Sequence, residues 1–305
     1  MALFKVRDNN KLEVIKEKPF KLESELQNLT ERNLQSVFGL EFVKHEFSLN
    51  NFRMDTLAFD KGSKAFVIIE YKRDKNFSVI DQGYAYLALM LNNKADFILE
   101  YNESKKDTLR KADIDWSQSR VLFISQSYTA YQKEAINFKD LPIELWEIKR
   151  YDNETVNYTQ IKTSGSKESI KTVSKEDQAI ENVTREIKVY TEDEHISNAN
   201  EQTRELYEIF RSAILNLGEI EIQPKKYYIA FKSGSNVVDI HIFKKSLKLW
   251  INLQKGILDD PKTISRDVSS VGHWGNGDYE LSISDDENLE YILSLIKQSL
   301  RVNGK

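Results

Sequence analysis

The sequence predicts an α/β protein of two domains joined by a linker, and three observations carry that reading. Its 305 residues are more than one small core organises, and 40% hydrophobic with 11% aromatic side chains supply enough apolar surface for real cores. Apolar positions switch along the chain between the two-residue repeat of strands and the 3.6-residue repeat of helices. Between two such stretches, residues 163–200 hold 5 basic and 8 acidic side chains, no Phe or Trp and a single Tyr, so they read as an acidic linker that buries little. The expected division is a domain over 1–162, a linker over 163–200 and an α+β domain over 201–305.

The elements follow in order. Two short alternating stretches flank Asp8-Asn9-Asn10, a hairpin turn. A helix is expected from Phe20 to Val37, with Leu22, Leu26, Leu29, Leu34 and Val37 as its apolar stripe and Gly39 as its stop. Three strands are expected over 41–47, 52–59 and 64–72, joined by Asn-rich and Lys-Gly-Ser turns. Ser78 then caps a helix running to Asn92, and 95–101, 120–126 and 143–150 read as strands. Within the linker, Ala179, Ile180, Val183 and Ile187 share one face of a short helix. The last part opens with an amphipathic helix over 203–217 ended by Gly218. Strands at 227–231, 237–242, 247–253 and 279–283 and a closing helix over 285–300 complete it.

Composition excludes several classes. The chain has no cysteine, which removes disulfides, thiolate chemistry and Cys-ligated zinc. Its mean hydropathy is −0.54 and no apolar run reaches the roughly 20 residues of a membrane helix, so no membrane partner is expected. The opening MALFKVRDNNKLEVIKEKPF interleaves charge with apolar residues and reads as mature protein, with the cytoplasm as the default compartment. A net charge of −4 argues against coating nucleic acid by bulk attraction, while leaving room for a local cationic groove.

Chemistry concentrates in FRMDTLAFD, FVIIEYKRDKN and DQGYAY. Glu70 and Lys72 are two residues apart on a strand and so share a face, and a hairpin partner brings Asp55 beside them. Two carboxylates and an ammonium at one place suit metal-assisted phosphodiester hydrolysis, in which carboxylates hold a hard cation and the lysine orients water. Glu-x-Lys alone is common here, beginning at Glu70, Glu103, Glu147 and Glu186. The first differs in its context: Phe66-Val67-Ile68-Ile69 runs straight into it, and Gln82 and Tyr86 follow one helical turn apart.

This arrangement resembles the PD-(D/E)xK nuclease superfamily, in its NucS-like and RecB-like branches. Asp55, Glu70 and Lys72 match its metal-binding and catalytic positions, and Gln82-Gly83-Tyr84-Ala85-Tyr86 matches its Gln-x-x-x-Tyr motif. The proline of the family name is absent, since Met54 precedes Asp55. The resemblance implies a restriction-endonuclease-like core and Mg²⁺ (or Mn²⁺) held by Asp55, Glu70, the backbone carbonyl of Tyr71 and an acidic residue of the opening helix, for which Glu25 is the candidate. It implies that Lys72 positions the attacking water and that Gln82 and Tyr86 contact nucleic acid; Arg73 and Lys75 would add local positive charge beside it, and Arg53 would either touch phosphate or brace a carboxylate in a salt bridge. DNA is the implied partner, with RNA and a homodimeric state left open. The competing expectation is a non-catalytic nucleic-acid-binding or assembly protein that keeps the fold.

The C-terminal part resembles a family of small domains of unknown function through Gly272-His273-Trp274-Gly275-Asn276-Gly277-Asp278-Tyr279-Glu280. The loop lacks the Gly-Lys-Ser/Thr ending of a phosphate-binding loop. One reading gives its glycines a positive φ in a tight turn over a packed Trp274. The other makes it a recognition loop carrying His273 and Trp274, with Asn276 and Asp278. Lys244, Lys245 and Lys248, with Lys225 and Lys226, suggest a basic patch. His45, His195, His241 and His273 are too scattered along the chain to suggest zinc.

Overall fold

A computed structural model describes residues 3–72, 78–138, 140–162, 168–170 and 178–304. Two units emerge, residues 1–188 and 189–305, each with its own core.

In the first unit, β1 (Leu3–Val6) and β2 (Leu12–Ile15) form the expected hairpin. The helix expected over 20–37 is two helices, α1 (Glu23–Glu31) and α2 (Leu34–Phe38). The break falls at Asn33, whose backbone leaves the helical region at φ −124° and ψ 14° while its side chain donates to the Leu29 carbonyl at 2.7 Å. Gly39 closes α2 with φ 69°, the left-handed conformation that glycine tolerates best. Then come β3 (Glu41–Leu49), β4 (Phe52–Asp60) and β5 (Ala65–Lys72), an antiparallel meander.

Ser78 caps α3 (Val79–Asn92), its Oγ accepting from the Asp81 amide at 3.3 Å. The strand expected over 95–101 is instead α4 (Lys94–Lys105). Its short apolar run fits either period, and tertiary packing decides: Phe97 and Tyr101, one turn apart, are buried against Phe59 and Phe66. β6 (Arg120–Ser125), α5 (Ala130–Ala135), β7 (Ile143–Arg150) and β8 (Val156–Ile161) complete a six-stranded sheet in the order β3-β4-β5-β6-β7-β8. The β5-β6 and β6-β7 pairs are parallel and the rest antiparallel, so this is a mixed α/β domain. One face carries Leu57, Phe59, Phe66, Ile68 and Phe123 against α3 and α4. The other carries Ala58, Val67, Ile69, Tyr71 and Ile124 against α1 and α2. Covered on both faces, β5 is buried along nearly its whole length.

The expected linker is shorter than its composition suggests. Within it, α6 (Gln178–Glu186) packs on α3, and its Val183 and the Ile187 that follows it are buried in the first core. Lys188 N donates to the Ser117 carbonyl at 2.9 Å. Apolar residues at helical spacing are enough to seat a stripe on α3 despite the polar surroundings.

The second unit begins with α7 (Glu192–Ile196) and α8 (Glu201–Leu215), the latter capped by Asn200. Strands β9 (Glu221–Pro224), β10 (Ile229–Ser233), β11 (Ser235–Ile242), β12 (Leu247–Ile251), β13 (Arg266–Asp267) and β14 (Tyr279–Ile283) form an antiparallel sheet in the order β13-β14-β12-β11-β10-β9. With α9 (Leu289–Asn303), α8 covers one face through Tyr207, Phe210, Ile214, Ile292 and Ile296. The other face carries a small cluster of Tyr228, Ala230, Trp250 and Val268.

Candidate active site

Strand alternation sends Phe66, Ile68 and Glu70 to the α3 face of the first sheet, and Lys72 follows Glu70. The β4-β5 hairpin pairs Thr56 with Ile69, which brings Asp55 level with Glu70. Asp55 accepts from the Tyr71 amide at 2.9 Å through Oδ2, so the end of β5 fixes the carboxylate. Lys72 Nζ lies 2.7 Å from Glu70 Oε1, and Gln82 Nε2 donates to the same oxygen at 2.9 Å. Gln82 also donates to Tyr86 Oη at 2.9 Å, and that hydroxyl donates to the Arg53 carbonyl at 3.2 Å. Asp55, Glu70, Lys72, Gln82 and Tyr86 therefore meet at one place, with α3 bracing the strand ends.

The electrostatics of the pair are unbalanced. Burial, and then the neighbouring Glu70 charge, push the Asp55 carboxyl up to about 7. Burial and the Glu70 charge also raise the Tyr86 hydroxyl, which stays protonated and able to donate. Glu70 is 3% exposed, and its Oε2 has no hydrogen-bond partner among the described residues. A buried, unsatisfied carboxylate oxygen beside a second carboxylate is a destabilising arrangement that a cation relieves. Two adjacent carboxylates suit Mg²⁺, which is commonly held by one or two carboxylates rather than a full protein cage. Among the described residues no group of three or more His, Asp or Glu side chains is gathered as for a metal ion.

Several expected participants lie elsewhere. Glu25 faces Arg150, 3.4 Å from its guanidinium, and not Asp55. Glu23 is the residue of α1 whose charge reaches Asp55, and Gln27 donates to the Asp55 carbonyl at 2.9 Å. The sequence signal for this was the spacing of Glu23, Gln27 and Glu31 on successive turns of one face, with Glu25 rotated off it. Glu31 itself is engaged by Thr56 and His45. Tyr71 offers its amide to Asp55 while its side chain points to the opposite face, its hydroxyl beside Thr56 at 3.3 Å. Arg53 is largely exposed and lies 3.7 Å from Glu46. Arg73 and Lys75 fall outside the described residues.

In the second unit, none of the glycines of the 272–277 loop has a positive φ, and Gly275 and Gly277 serve close approach, while Gly272 has open space around it. A Cβ on Gly275 would sit 2.5 Å from the Trp250 ring, and one on Gly277 would sit 1.8 Å from the Ile251 carbonyl oxygen. The packed tryptophan is Trp250, 1% exposed, whereas Trp274 is 47% exposed. Asn276 and Asp278 hold the loop: Asn276 N donates to Asp239 at 2.8 Å, and Asp278 accepts from the Lys255 amide at 2.8 Å. His273 bonds to the Val271 carbonyl and lies over Trp250. The suggested basic patch is smaller than five lysines, since Lys225 is buried and Lys248 is paired with Glu280 at 3.2 Å.

Comparison with known proteins places this chain in a family. It is 52% identical over 291 residues, 95% of this chain and 96% of the other, to a Haemophilus influenzae protein described as uncharacterized. The chain belongs to the same family as that protein. Residues 192–303 match the model of DUF5655, a domain of unknown function. Among solved structures, EndoMS in its apo form shows 15% identity and a TM-score of 0.25 over 44% of this chain and 58% of that one. A repair endonuclease from Pyrococcus abyssi shows 16% identity and a TM-score of 0.23 over 45% and 60%. An EndoMS complex with double-stranded DNA shows 14% identity and a TM-score of 0.23 over 48% and 64%. The alignments thus span about 60% of the length of these solved chains.

Proposed function

We propose that the first unit is a metal-dependent nuclease that hydrolyses DNA phosphodiester bonds at the Asp55–Glu70–Lys72 site. The observation that carries the proposal is the convergence of both carboxylates, the lysine, Gln82 and Tyr86, with Glu70 Oε2 buried and without a hydrogen-bond partner among the described residues. The motif resemblance read from the sequence supports the same assignment.

Asp55 and Glu70 would hold Mg²⁺, which when bound supplies Lewis-acid stabilisation of charge on the phosphoryl group. The chain's own groups do the rest. Lys72, 22% exposed at its side chain, reaches the edge of the site and orients water while offsetting developing negative charge. Gln82 fixes the rotamer of Glu70, and Tyr86 fixes Gln82 against the β4 backbone, so the carboxylate is positioned before substrate arrives. Asp55 must be deprotonated to serve, and its raised pKa makes this step sensitive near neutrality.

The test is incubation of end-labelled single-stranded, double-stranded and branched DNA with the full chain and Mg²⁺ or Mn²⁺. Cutting by the wild type that disappears in both Glu70→Ala and Lys72→Ala is the expected result. No cutting of any substrate by folded wild type would overturn the proposal and favour the non-catalytic reading, which the close Lys72–Glu70 ion pair also accommodates.

A further inference from the structure

Three large exposed rings of the second unit gather at one point of its sheet. Tyr227, Phe243 and Trp274 are 44%, 37% and 47% exposed. Tyr227 and Trp274 stack with centroids 5.6 Å apart and planes 15° apart. Phe243 lies 6.3 Å from Trp274, and His241 fills the space between them at 4.5 Å from Trp274 and 4.4 Å from Phe243. Burial lowers the His241 pKa, so the imidazole within the cluster is neutral near pH 7. Exposed aromatic side chains brought together in this way mark a binding surface rather than a core.

The platform is rigidly supported. Asp239, fully buried, accepts from Asn276 N at 2.8 Å and from Asn276 Nδ2 at 3.1 Å, and Nδ2 also reaches Tyr228 Oη at 2.8 Å. Gly275 lies directly on the Trp250 ring, which sets the height of the loop beneath Trp274. His241 Nδ1 is bonded to the Tyr227 carbonyl, tying the two sides of the cluster together. The rings are ordered before any ligand arrives, which lowers the entropy lost on binding.

Cations border the rings. Lys226 Nζ stands 5.1 Å from the Tyr227 centroid, and Lys248 Nζ stands 5.8 Å from Phe243 while paired with Glu280. Lys244 and Lys245, both exposed, occupy the turn directly after Phe243. A protein–protein hot patch is typically depleted in lysine, whereas aromatic faces edged by lysines suit unpaired bases joined by phosphates.

We propose that Tyr227, Trp274 and Phe243 form a stacking surface for unpaired nucleobases of single-stranded nucleic acid, with Lys226, Lys244 and Lys245 drawing the adjoining phosphates. Stacking on rings is tolerant of base identity, so the surface reads strandedness rather than sequence. The proposal stands on the second unit alone and does not depend on hydrolysis at Asp55 and Glu70.

The experiment is fluorescence anisotropy of a labelled oligothymidylate of about 20 nucleotides, long enough to span a site of typical size. It is titrated with the full-length Glu70→Ala chain in chelator, so that nothing is cut. Adding Trp274→Ala is expected to weaken binding about tenfold, Tyr227→Ala to weaken it severalfold, and Trp274→Phe to restore most of it. A duplex of equal length should bind with the same affinity before and after Trp274→Ala. Circular dichroism melts establish that each variant folds, and Tyr227→Ala serves if Trp274→Ala does not. Unchanged oligothymidylate affinity in a folded variant, or no binding by the parent chain, overturns the proposal. So does quenching of tryptophan fluorescence by poly-L-proline but not by the oligonucleotide, which would assign the rings to a peptide.

Discussion

Replacing Asp55 by Asn should make the protein more stable in chelator above neutral pH while removing the proposed cleavage activity. The carboxyl titrates near 3.8 when unfolded and about 7 when folded. A folded-state pKa above the unfolded one means that the native state holds the proton longer. Stability is therefore full below about pH 4, falls as pH rises through 4 to 7, and is flat above that. At about 1.4 kcal/mol per unit the shift corresponds to at most about 4 kcal/mol, and about 2–4 kcal/mol is expected once partial solvent access is allowed for. Asparagine keeps an oxygen for the Tyr71 amide and carries no charge to desolvate. The assay is urea denaturation in chelator at pH 4, 6 and 8, for wild type and Asp55→Asn. The stability of the variant relative to wild type should rise across the series, with the gap widest at pH 8, while Asp239, also raised, to about 6, contributes equally to both proteins. A variant less stable than wild type at pH 8, or two parallel pH profiles, would show that folding does not raise the Asp55 pKa.

Other predictions concern the support of the site and the folds themselves. Tyr86→Phe removes the hydroxyl shared by Gln82 and the Arg53 carbonyl, and should lower stability by about 1 kcal/mol in urea while slowing any metal-dependent cleavage. Phe97→Ala should cost about 3–5 kcal/mol, because the residue is a buried anchor of α4; a surface-like loss below about 1 kcal/mol would contradict its placement. Gly275→Ala drives a methyl into the Trp250 ring and should cost about 1–3 kcal/mol, with a change in tryptophan fluorescence. Mn²⁺ affinity, measured by calorimetry, should rise with pH through about 7 as Asp55 deprotonates and then level off.

Much of this was legible in the residues, and the failures have identifiable physics. The meander β3–β5 could be read because Asn-rich and Lys-Gly-Ser turns bracket runs of strand-forming residues, and its alternation put Glu70 and Lys72 on one face. Gln82 and Tyr86 were legible from i,i+4 spacing behind a clear Ser78 cap. What the sequence hid was tertiary. Phe97 and Tyr101 satisfy either period, and only the ring partners Phe59 and Phe66 decide for helix. The spacing of Glu23, Gln27 and Glu31 set one face of α1 apart from Glu25, but only the packing of that face beside Asp55 shows which face matters. Residues 178–187 look solvated by composition, yet Val183 and Ile187 find a matching surface on α3. The glycines at 275 and 277 suggested a strained turn, while their need is space against Trp250 and the Ile251 backbone.

Asp55 and Glu70, level with each other on β4 and β5, are proposed to form one cation site. Titration of the full chain with Mn²⁺, followed by electron paramagnetic resonance of the free ion, tests it most directly. A bound ion is expected in the wild type at pH 8, lost in both Asp55→Ala and Glu70→Ala and retained in Glu25→Ala. Equal Mn²⁺ binding in wild type and the two site variants, or none in the wild type, would contradict it.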